Sequence, residues 1–505
     1  MNGIPKSSSD FGVVLPRAFV FLGVAILGAT LVATSAADDD SEGPIFRPFR
    51  VPTGVVQSAA GDPALDETNK FFDPGLGTNG QACVTCHEPE LGFTITPSFI
   101  RQRFADTDGL DPLFRVNDTA DRPDADVSTV DRRRDAFSLF LDLGVIRIGK
   151  TFPAMTDFTL EPQDTSRFGM LPNGADSQST SPTLSLFRRP LVNTNVRFDS
   201  AVLWDGRASI ADMRGQVQRA ARALLLAGGP LAGPLGDVSN ADADEVAAFM
   251  LGVFTTLDFD DNAGELHARG AMGGVANLTE LAFDPAAPCL FFGMNMMITP
   301  LTPPTCTQSS PRPMSLFDAW ADAKNVGRNA SRAAVVRGQQ LFNTVDLHFR
   351  PGVIVHCVSC HATNNVGNNP SAEFFIRLGM DSVQTLNDLA AGDPRVTRLL
   401  DRVKKLPEYC VRPTSDPTSF SAAPCGTREQ DMKTTDPGRA LFTGQMMNIG
   451  AFKPPILRDL PVRAPFFHNG SAETLDDVVN FYNARFRIGL TPQQHDDLVA
   501  FLRSL

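Results

Sequence analysis

The sequence predicts a mainly α-helical protein that consists of two similar halves with long loop-rich insertions. Helical patterns outnumber strand patterns, and no stretch alternates apolar and polar residues as clearly as a half-buried strand does. The motif Cys-x-x-Cys-His occurs twice, at residues 83–87 and 357–361, and a similar phenylalanine-containing stretch precedes each copy. Segments rich in glycine, proline and aspartate separate the regular elements.

The clearest helices lie near the C-terminus. Thr491 offers an N-cap, with Pro492 at the first helical position and Gln494 at N3, which is a capping-box arrangement. An earlier helix is expected to begin at Thr474, with Asp477 at N3. The apolar stripe of this helix follows helical spacing and is expected to face inward; it consists of Leu475, Val478, Val479 and Tyr482.

Composition excludes several classes of protein. A chain of 505 residues suffices for about two to four domains. With 42% hydrophobic residues, the chain is neither disordered nor a polytopic membrane protein. Lys and Arg number 45 against 57 Asp and Glu, a formal net charge of −12, which argues against nucleic acid as a partner because phosphates require a basic surface.

Residues 1–36 are expected to be an export signal peptide. A basic flank precedes an uncharged run from Ala18 to Ala33, and small residues follow it. The run is shorter than the roughly 20 residues that a bilayer span needs, so cleavage near Ala36 or Ala37 is favoured over an uncleaved anchor. The mature protein is therefore expected in the periplasm, where disulfides persist.

Cys-x-x-Cys-His is the attachment signature of c-type haem. Two thiols add to the two vinyl groups of one porphyrin, and the adjacent histidine binds the iron. The residues expected to hold the haems are Cys83, Cys86, His87, Cys357, Cys360 and His361, with the two histidines as iron ligands. A zinc site or a thioredoxin-like redox pair is the alternative, but zinc ribbons place their two units about 15–20 residues apart, whereas these copies lie in opposite halves of the chain.

The other four cysteines form two local pairs in loop-rich segments. Three connectivities exist, and proximity favours disulfides Cys289–Cys306 and Cys410–Cys425 over four buried free thiols.

Placing each Cys-x-x-Cys-His motif in one cytochrome c-like domain gives the expected organisation. An N-terminal haem domain spans 37–245 with an insertion at 101–185, a connector spans 246–330, and a C-terminal haem domain spans 331–505.

Five further segments resemble those of the bacterial di-haem cytochrome c peroxidases and MauG-like enzymes. They are Arg188–Asn193 (RRPLVN), Trp204–Ala208 (WDGRA), Phe452–Arg458 (FKPPILR), Arg463–Gly470 (RAPFFHNG) and Val478–Tyr482 (VVNFY). Their order around two haem motifs is specific, and the resemblance covers most of the chain outside the two insertions. The segment 108–160 is similar to a less-studied branch of that family.

The resemblance implies that the first haem reacts with peroxide and that the second handles electrons. It implies that Trp204 relays electrons between them and that Arg207, Arg458 and His468 line the haem clefts. It also implies that Tyr482, at a position that holds a Met or a Tyr in the family, binds the second iron. If Tyr482 is only a core residue, Met446 and Met447 are the next candidates for this ligand.

One departure from the family concerns its acid–base groups. The family usually has a Gln and, about ten residues later, a Glu after its tryptophan motif, and these groups process bound peroxide. Gln216 matches the Gln, but no Glu follows it as far as Leu226, so slow cleavage of the O–O bond is expected. The resemblance also implies calcium near Arg463 and Pro465, but the sequence does not supply its side-chain ligand cleanly, and calcium stays open.

The sequence therefore predicts a periplasmic di-haem oxidoreductase of the cytochrome c peroxidase type. It would reduce hydrogen peroxide at the N-terminal haem with electrons that a small soluble donor protein passes through the C-terminal haem. The alternatives are a MauG-like enzyme that modifies a partner protein, a di-haem oxygenase and a non-enzymatic electron carrier. An open coordination position on one iron would favour an enzyme. A homodimer also stays open.

Overall fold

The computed structural model describes residues 45–505 except 62–64, 152, 154, 163–167, 169–182, 200, 226–237, 283–313, 324–325, 362–374, 415–424 and 427–429. The expected signal peptide at 1–36 and the expected disulfide between Cys289 and Cys306 lie outside the described residues. Within the described ranges, no helix is long and apolar enough to cross a membrane.

The α-helices are distributed over both halves of the described chain. They are α1 (Pro97–Thr107), α2 (Val130–Ala136), α3 (Ser138–Leu143), α4 (Met213–Leu224), α5 (Asn240–Gly252), α6 (Val275–Ala282), α7 (Arg328–Thr344), α8 (Val383–Gly392), α9 (Thr397–Val403), α10 (Ala440–Thr443), α11 (Leu475–Phe486) and α12 (Pro492–Arg503).

The strands form several small sheets in which neighbouring strands are antiparallel. They are β1 (Ile45–Val51), β2 (Gly54–Ala60), β3 (Ile146–Thr151), β4 (Phe158–Pro162), β5 (Thr183–Arg188), β6 (Ala201–Val202), β7 (Ala208–Ser209), β8 (Val253–Asp260), β9 (Gly264–Glu265), β10 (Leu347–Arg350), β11 (Val353–Val355), β12 (Ile376–Arg377), β13 (Tyr409–Pro413), β14 (Met432–Thr434) and β15 (Ala451–Phe452). The sheet orders are β1-β2-β8-β9, β14-β13-β4, β3-β5, β6-β7, β10-β11 and β12-β15.

The expectation of a mainly α fold is met only in part, because these sheets accompany the helices. Strand β2 illustrates why the sequence pattern did not indicate them. Its burial alternates as in a half-buried strand, but three of its four inward positions are Gly54, Ser58 and Ala60. Small side chains give little contrast between the two faces of a strand, so the alternation is weak in the sequence.

Both expected C-terminal helices are confirmed, and each has its capping box. Thr474 and Thr491 accept from the backbone N–H at N3 of α11 and α12 respectively. Helix α12 packs against α7 in a large hydrophobic cluster. At Gly338 of α7 a Cβ would collide with the backbone carbonyl oxygen of Asp497, so the close approach of these helices requires glycine.

The segments on either side of the first haem motif pack around a group of aromatic rings. Phe71, which precedes the motif, stacks on Phe249 of α5 with 4.6 Å between ring centroids, and Phe93, which follows it, lies 5.9 Å from the same ring. Val217 of α4 and Val246 of α5 belong to this cluster. Helices α4 and α5 are thereby fixed beside the motif.

The long segment 101–185 has its own core and is also tied to the second half of the chain. Its core contains Phe104, Phe114, Phe137 and Phe140. Strand β3 pairs with β5, and strand β4 pairs with β13. Strand β13 also carries Cys410, whose disulfide with Cys425 confirms that expected pairing.

A buried ion-pair network joins the two halves at Arg188, the last residue of β5. Its guanidinium donates to both carboxylate oxygens of Asp436 at 2.6 and 2.8 Å and to Asp205 at 2.7 Å. All three side chains are at most 2% exposed. A charge so deeply buried is stable only with such partners.

We expect Asp436→Ala to lower the free energy of unfolding by about 3–5 kcal/mol, because it removes one partner of a buried charge. The matched control is Asp244→Ala, which breaks the solvent-exposed pair with Arg214 and should have a much smaller effect, because water and salt screen exposed ion pairs. Urea unfolding of the haem-loaded protein measures both. Equal losses in the two variants would show that the buried network contributes no special stability.

Candidate haem sites

The two Cys-x-x-Cys-His motifs form the same tight loop. Residues Cys83–Thr85 and Cys357–Ser359 each make one turn of 3-10 helix. In both copies the backbone N–H of the motif histidine donates to the carbonyl oxygen of the first cysteine at 3.1 Å. In both, the hydroxyl group of the third residue of the turn accepts from a backbone N–H at 3.0 Å. The repeated motif is therefore a repeated structure.

Each motif histidine has a phenylalanine neighbour from the stretch that precedes its motif. The ring of Phe71 lies 6.4 Å from that of His87, and the ring of Phe342 lies 6.2 Å from that of His361. The Nδ1 atom of His87 is 3.0 Å from the carbonyl oxygen of Phe93. Burial lowers the pKa of His87 to about 4, so its neutral ring donates from Nδ1 and keeps Nε2 as a lone-pair donor.

The motif cysteines belong to no cluster of potential metal ligands among the described residues. All four are outside disulfides, and burial raises the pKa of each thiol to about 12. A structural zinc site usually has four protein ligands. Within the described residues, the one His/Cys/Asp/Glu group of three or more close enough to share an ion is Cys410, Cys425 and Asp431, in which the cysteines are joined as a disulfide.

The first motif lies in the wall of a cavity, cavity 1, whose space is about 1500 Å³ including the part open to solvent. Most of its lining is apolar. The residues expected at the first haem line it: Cys83, Cys86, His87, Trp204, Arg207 and Gln216. Helix α4 supplies Gln216, and the guanidinium of Arg207 is held by Asp205 at 2.5 Å.

The second motif lies in the wall of cavity 2, whose space is about 1580 Å³ including its open part. The residues expected at the second haem line it: Cys357, Cys360, His361, His468 and Tyr482. The apolar stripe of α11, including Leu475 and Val478, also lines this cavity. The prediction that this stripe faces inward is confirmed.

Trp204 belongs to the wall that the two cavities share. The residues that line both are Arg189, Pro190, Leu191, Trp204, Lys453, Ile456 and Arg463. The indole N–H of Trp204 donates to the carbonyl oxygen of Arg189 at 2.8 Å, and the backbone N–H of Lys453 donates to the carbonyl oxygen of Trp204 at 2.9 Å. The indole is therefore fixed in orientation between the two cavities.

The shared wall carries positive charge. Lys453 is paired with Asp199 at 2.6 Å. Arg189 and Arg463 donate to backbone carbonyl oxygens, for example from Arg189 to Gly144 at 2.8 Å and from Arg463 to Ile456 at 2.6 Å. Burial lowers the pKa of Arg189 to about 9 and that of Arg463 to about 10. Because a haem brings two propionate groups, cations at this wall fit such a ligand.

His468 is completely buried beside Trp204, at 6.3 Å between ring centroids. Its ring stacks on Phe452 at 3.9 Å, and neither of its nitrogen atoms has a hydrogen-bond partner among the described residues. Burial lowers the pKa of His468 to about 3, and Arg188 contributes to this. An unpartnered buried nitrogen in the lining of cavity 2 is available to a group bound there.

Cavity 2 offers two side chains for the far side of a bound iron. Tyr482 lines it, and burial raises the pKa of its phenol. Met380, which the sequence analysis did not single out, also lines it. The alternative candidates Met446 and Met447 do not line it, and Met447 is 68% exposed.

The structure gathers most of the expected site residues, but not all. Arg458 is buried outside the lining of both cavities. Conversely, the 101–185 segment contributes Asp118, Thr119, Ile146 and Ile148 to cavity 1. No local motif marks these four positions, and only the resemblance of 108–160 to a branch of the family drew attention to their surroundings.

Comparison with known proteins finds similarity to curated cytochrome c peroxidases. The chain is 31% identical over 202 residues to cytochrome-c peroxidase IdrP1 of Denitromonas iodatirespirans, a match that covers 37% of this chain and 44% of the relative. It is 28% identical over 202 residues to the protein of that name from Pseudomonas sp. (strain SCT), covering 37% of this chain and 43% of the relative.

A shorter match of 78 residues, 37% identical, links the chain to cytochrome-c peroxidase IdrP2 of Denitromonas iodatirespirans and covers 14% of this chain and 21% of the relative. The chain thus spans less than half the length of the curated relatives it matches. No family model matches the chain. These relatives confirm the resemblance to a cytochrome c peroxidase-like family that the motifs predicted.

Proposed function

We propose that the protein is an exported di-haem peroxidase. It binds one c-type haem in each cavity and reduces hydrogen peroxide in cavity 1 with electrons that enter through cavity 2. The observation that carries this proposal is the position of Trp204, which lines both cavities and is hydrogen-bonded within the wall that they share. The names of the relatives support peroxide as the substrate.

Each cavity contains the groups that would hold a haem. Two thiols at C-x-x-C spacing attach the porphyrin covalently, and the motif histidine binds its iron through Nε2. When bound, the haem iron supplies one-electron redox chemistry and, where a coordination position is open, a binding position for peroxide. The hydrogen bond from Nδ1 of His87 to Phe93 fixes the tautomer and the ring orientation that this ligation needs.

The wall between the cavities provides the electron path. Trp204 and His468 pack edge to face at 6.3 Å, and Phe452 stacks on His468. This arrangement places aromatic rings in continuous contact from the lining of cavity 1 to that of cavity 2. The indole N–H of Trp204 bonds to Arg189 and its carbonyl oxygen accepts from Lys453. These hydrogen bonds hold the ring in place between the two proposed haems.

Tyr482 favours a second candidate function, the MauG-like oxidation of a partner protein. A phenolate ligand stabilises ferric and higher oxidation states, whereas a Met ligand raises the potential. With Tyr482 as ligand, the haem in cavity 2 would accept electrons poorly from ordinary donors. It would instead share oxidising equivalents with the haem in cavity 1. In the peroxidase reading the electrons come from a small soluble protein in the periplasm. In the second reading they come from the partner protein.

The protein purified after export should contain two covalently bound c-type haems per chain, measured as pyridine haemochrome after acid–acetone extraction. Peroxide should then oxidise the half-reduced protein rapidly in a stopped-flow experiment. The double variant Cys83→Ser and Cys86→Ser should keep one haem and lose the peroxide reaction. Extractable haem, bound zinc, or reaction with dioxygen in place of peroxide would contradict the proposal.

Trp204→Phe should keep both haems but slow electron transfer between them by about tenfold or more, which corresponds to about 1.4 kcal/mol of barrier. The reason is that Trp204 is the aromatic residue common to both cavities among the described lining residues. Trp320→Phe is the matched control, because Trp320 is also buried and donates its indole N–H to a carbonyl oxygen, of Ala268 at 2.7 Å, but lines neither cavity. Equal rates in the two variants would assign Trp204 to the structural core.

Tyr482→Met should raise the potential of the second haem on the order of hundreds of millivolts, within the range of about 0.8 V that axial ligands span. It should also introduce a Met-type absorption spectrum. Tyr409→Phe is the control, since that buried tyrosine donates to Ser185 and lines neither cavity. If Tyr482→Phe leaves spectrum and potential unchanged while Met380→Leu alters them, Met380 is the ligand and the peroxidase reading is favoured.

A further inference from the structure

Two carboxylates, Asp118 and Asp199, line cavity 1 in the described part of the chain, and they differ in their surroundings. Asp199 is bound to Lys453 at 2.6 Å, so its charge is compensated. Asp118 is only 8% exposed, and its Oδ1 atom is buried without a hydrogen-bond partner. A buried carboxylate oxygen without a partner is costly, so its presence in a cavity calls for an explanation.

The backbone around Asp118 is a rigid turn. The backbone N–H groups of Thr119 and Ala120 both donate to the carbonyl oxygen of Arg115. The hydroxyl group of Thr119 donates to the carbonyl oxygens of Leu113 and Arg115. From strand β3, the backbone N–H of Arg147 donates to the carbonyl oxygen of Asp118 at 2.6 Å, and the guanidinium of Arg147 binds the carbonyl oxygen of Asn117. The backbone that carries the carboxyl group is therefore fixed.

The same turn is fastened to the helix that carries Gln216. Arg115 donates to the carbonyl oxygen of Leu224, the last residue of α4, and to Gln81 at 2.8 Å. Its guanidinium also lies 3.6 Å from Oδ2 of Asp118. One oxygen of Asp118 thus faces a cation while the other remains without a partner. A carboxyl group from the 101–185 segment therefore stands beside the C-terminal end of α4, in the cavity that Gln216 lines.

We propose that Asp118 is the proton-transferring carboxylate of cavity 1. This inference rests on the proposed peroxidase function and adds the acid–base group that the sequence after Gln216 lacks. Asp118 accepts the proton of one peroxide oxygen and gives it to the other. The O–O bond breaks, and the oxygen that now carries both protons leaves as water.

The reaction balances with electrons from the haems and protons from solvent. The two electrons that reduce the peroxide come from the haems and are replaced by the donor protein. Two protons from solvent convert the remaining oxygen to a second water, so one peroxide, two protons and two electrons give two waters. Burial raises the pKa of Asp118 to about 6, with Arg115 and Arg147 opposing the rise. A group with such a pKa can both accept and release a proton near neutral pH.

The test compares Asp118→Asn with Asp111→Asn in the haem-loaded protein. Asp111 lies in the same segment and pairs with Arg103 at 3.5 Å, but it does not line cavity 1, so its variant controls for the loss of one negative charge. We expect Asp118→Asn to slow the reaction of the half-reduced protein with peroxide by about 10²-fold or more, the range typical of general acid–base catalysis. Asp118→Glu should recover part of this loss, and Asp111→Asn should react at the wild-type rate.

A second measurement separates proton transfer from a structural effect. Hydrogen cyanide must lose its proton to bind ferric haem, whereas carbon monoxide binds ferrous haem without proton transfer. Asp118→Asn should slow cyanide binding at the first haem by at least about tenfold, in line with the same catalytic effect, and leave carbon monoxide binding unchanged. Slower binding of both ligands would indicate a distorted cavity and overturn the inference.

The remaining outcomes separate failure of the Asp118 inference from failure of the proposed peroxidase function. If Asp118→Asn matches the wild type with both peroxide and cyanide, or if Asp111→Asn is equally slow, Asp118 is not the proton carrier although the peroxidase function stands. If the wild type itself does not react with peroxide, the proposed function fails. The cyanide and carbon monoxide rates then decide alone whether Asp118 accepts a proton in cavity 1.

Discussion

The buried guanidinium of Arg188 is the interaction on which the wall between the cavities depends. Burial alone disfavours the charged form of the guanidinium. Asp436 and Asp205 offset this desolvation cost and together raise the pKa of Arg188. Burial also opposes ionisation of Asp205, yet Arg188 and Arg207 lower its pKa to about 2. Because Asp205 follows Trp204 directly, the ion pair that unites the two halves of the chain also fixes the indole between them.

How much of this could be read from the sequence depends on whether the signal is local. The haem motifs, the capping boxes at Thr474 and Thr491 and the inward stripe of α11 each occupy a few consecutive residues, and the structure confirms the helices and the stripe. The disulfide between Cys410 and Cys425 could also be predicted from the sequence, because a separation of 15 residues favours local pairing. The segment around Trp204 was identified by resemblance to a known family, and the structure adds its place in the shared wall.

What the sequence did not show is produced by contacts between distant segments. Strand β13 pairs with β4 across more than two hundred residues, and neither strand has a strong alternating pattern. Asp118 carries no motif, and its importance arises because Arg115 fastens its turn to the carbonyl oxygen of Leu224. Met380 reaches cavity 2 in the same way, as a single side chain whose neighbours in the chain give no signal. Arg458, which does lie in a matched segment, is buried away from both cavities.

The electrostatics of the two cavities favour different roles for His468 and Asp118. His468 is a neutral ring near neutral pH, since burial lowers its pKa to about 3. It can donate one N–H in a hydrogen bond, but it lacks the acidic proton of an imidazolium. Its stacking on Phe452 and its contact with Trp204 suit a residue that keeps the wall rigid and apolar. Peroxide reduction, by contrast, needs a group that changes protonation state at each turnover. Among the carboxylates described in the lining of cavity 1, Asp199 is paired with Lys453, so the proposed acid–base role falls to Asp118 of the 101–185 segment. The same segment also supplies the carbonyl oxygen of Gly144 to Arg189 in the shared wall, and its strand β3 pairs with β5, which ends at Arg188. We therefore expect removal of the segment to disturb the wall between the cavities as well as the proposed acid–base group.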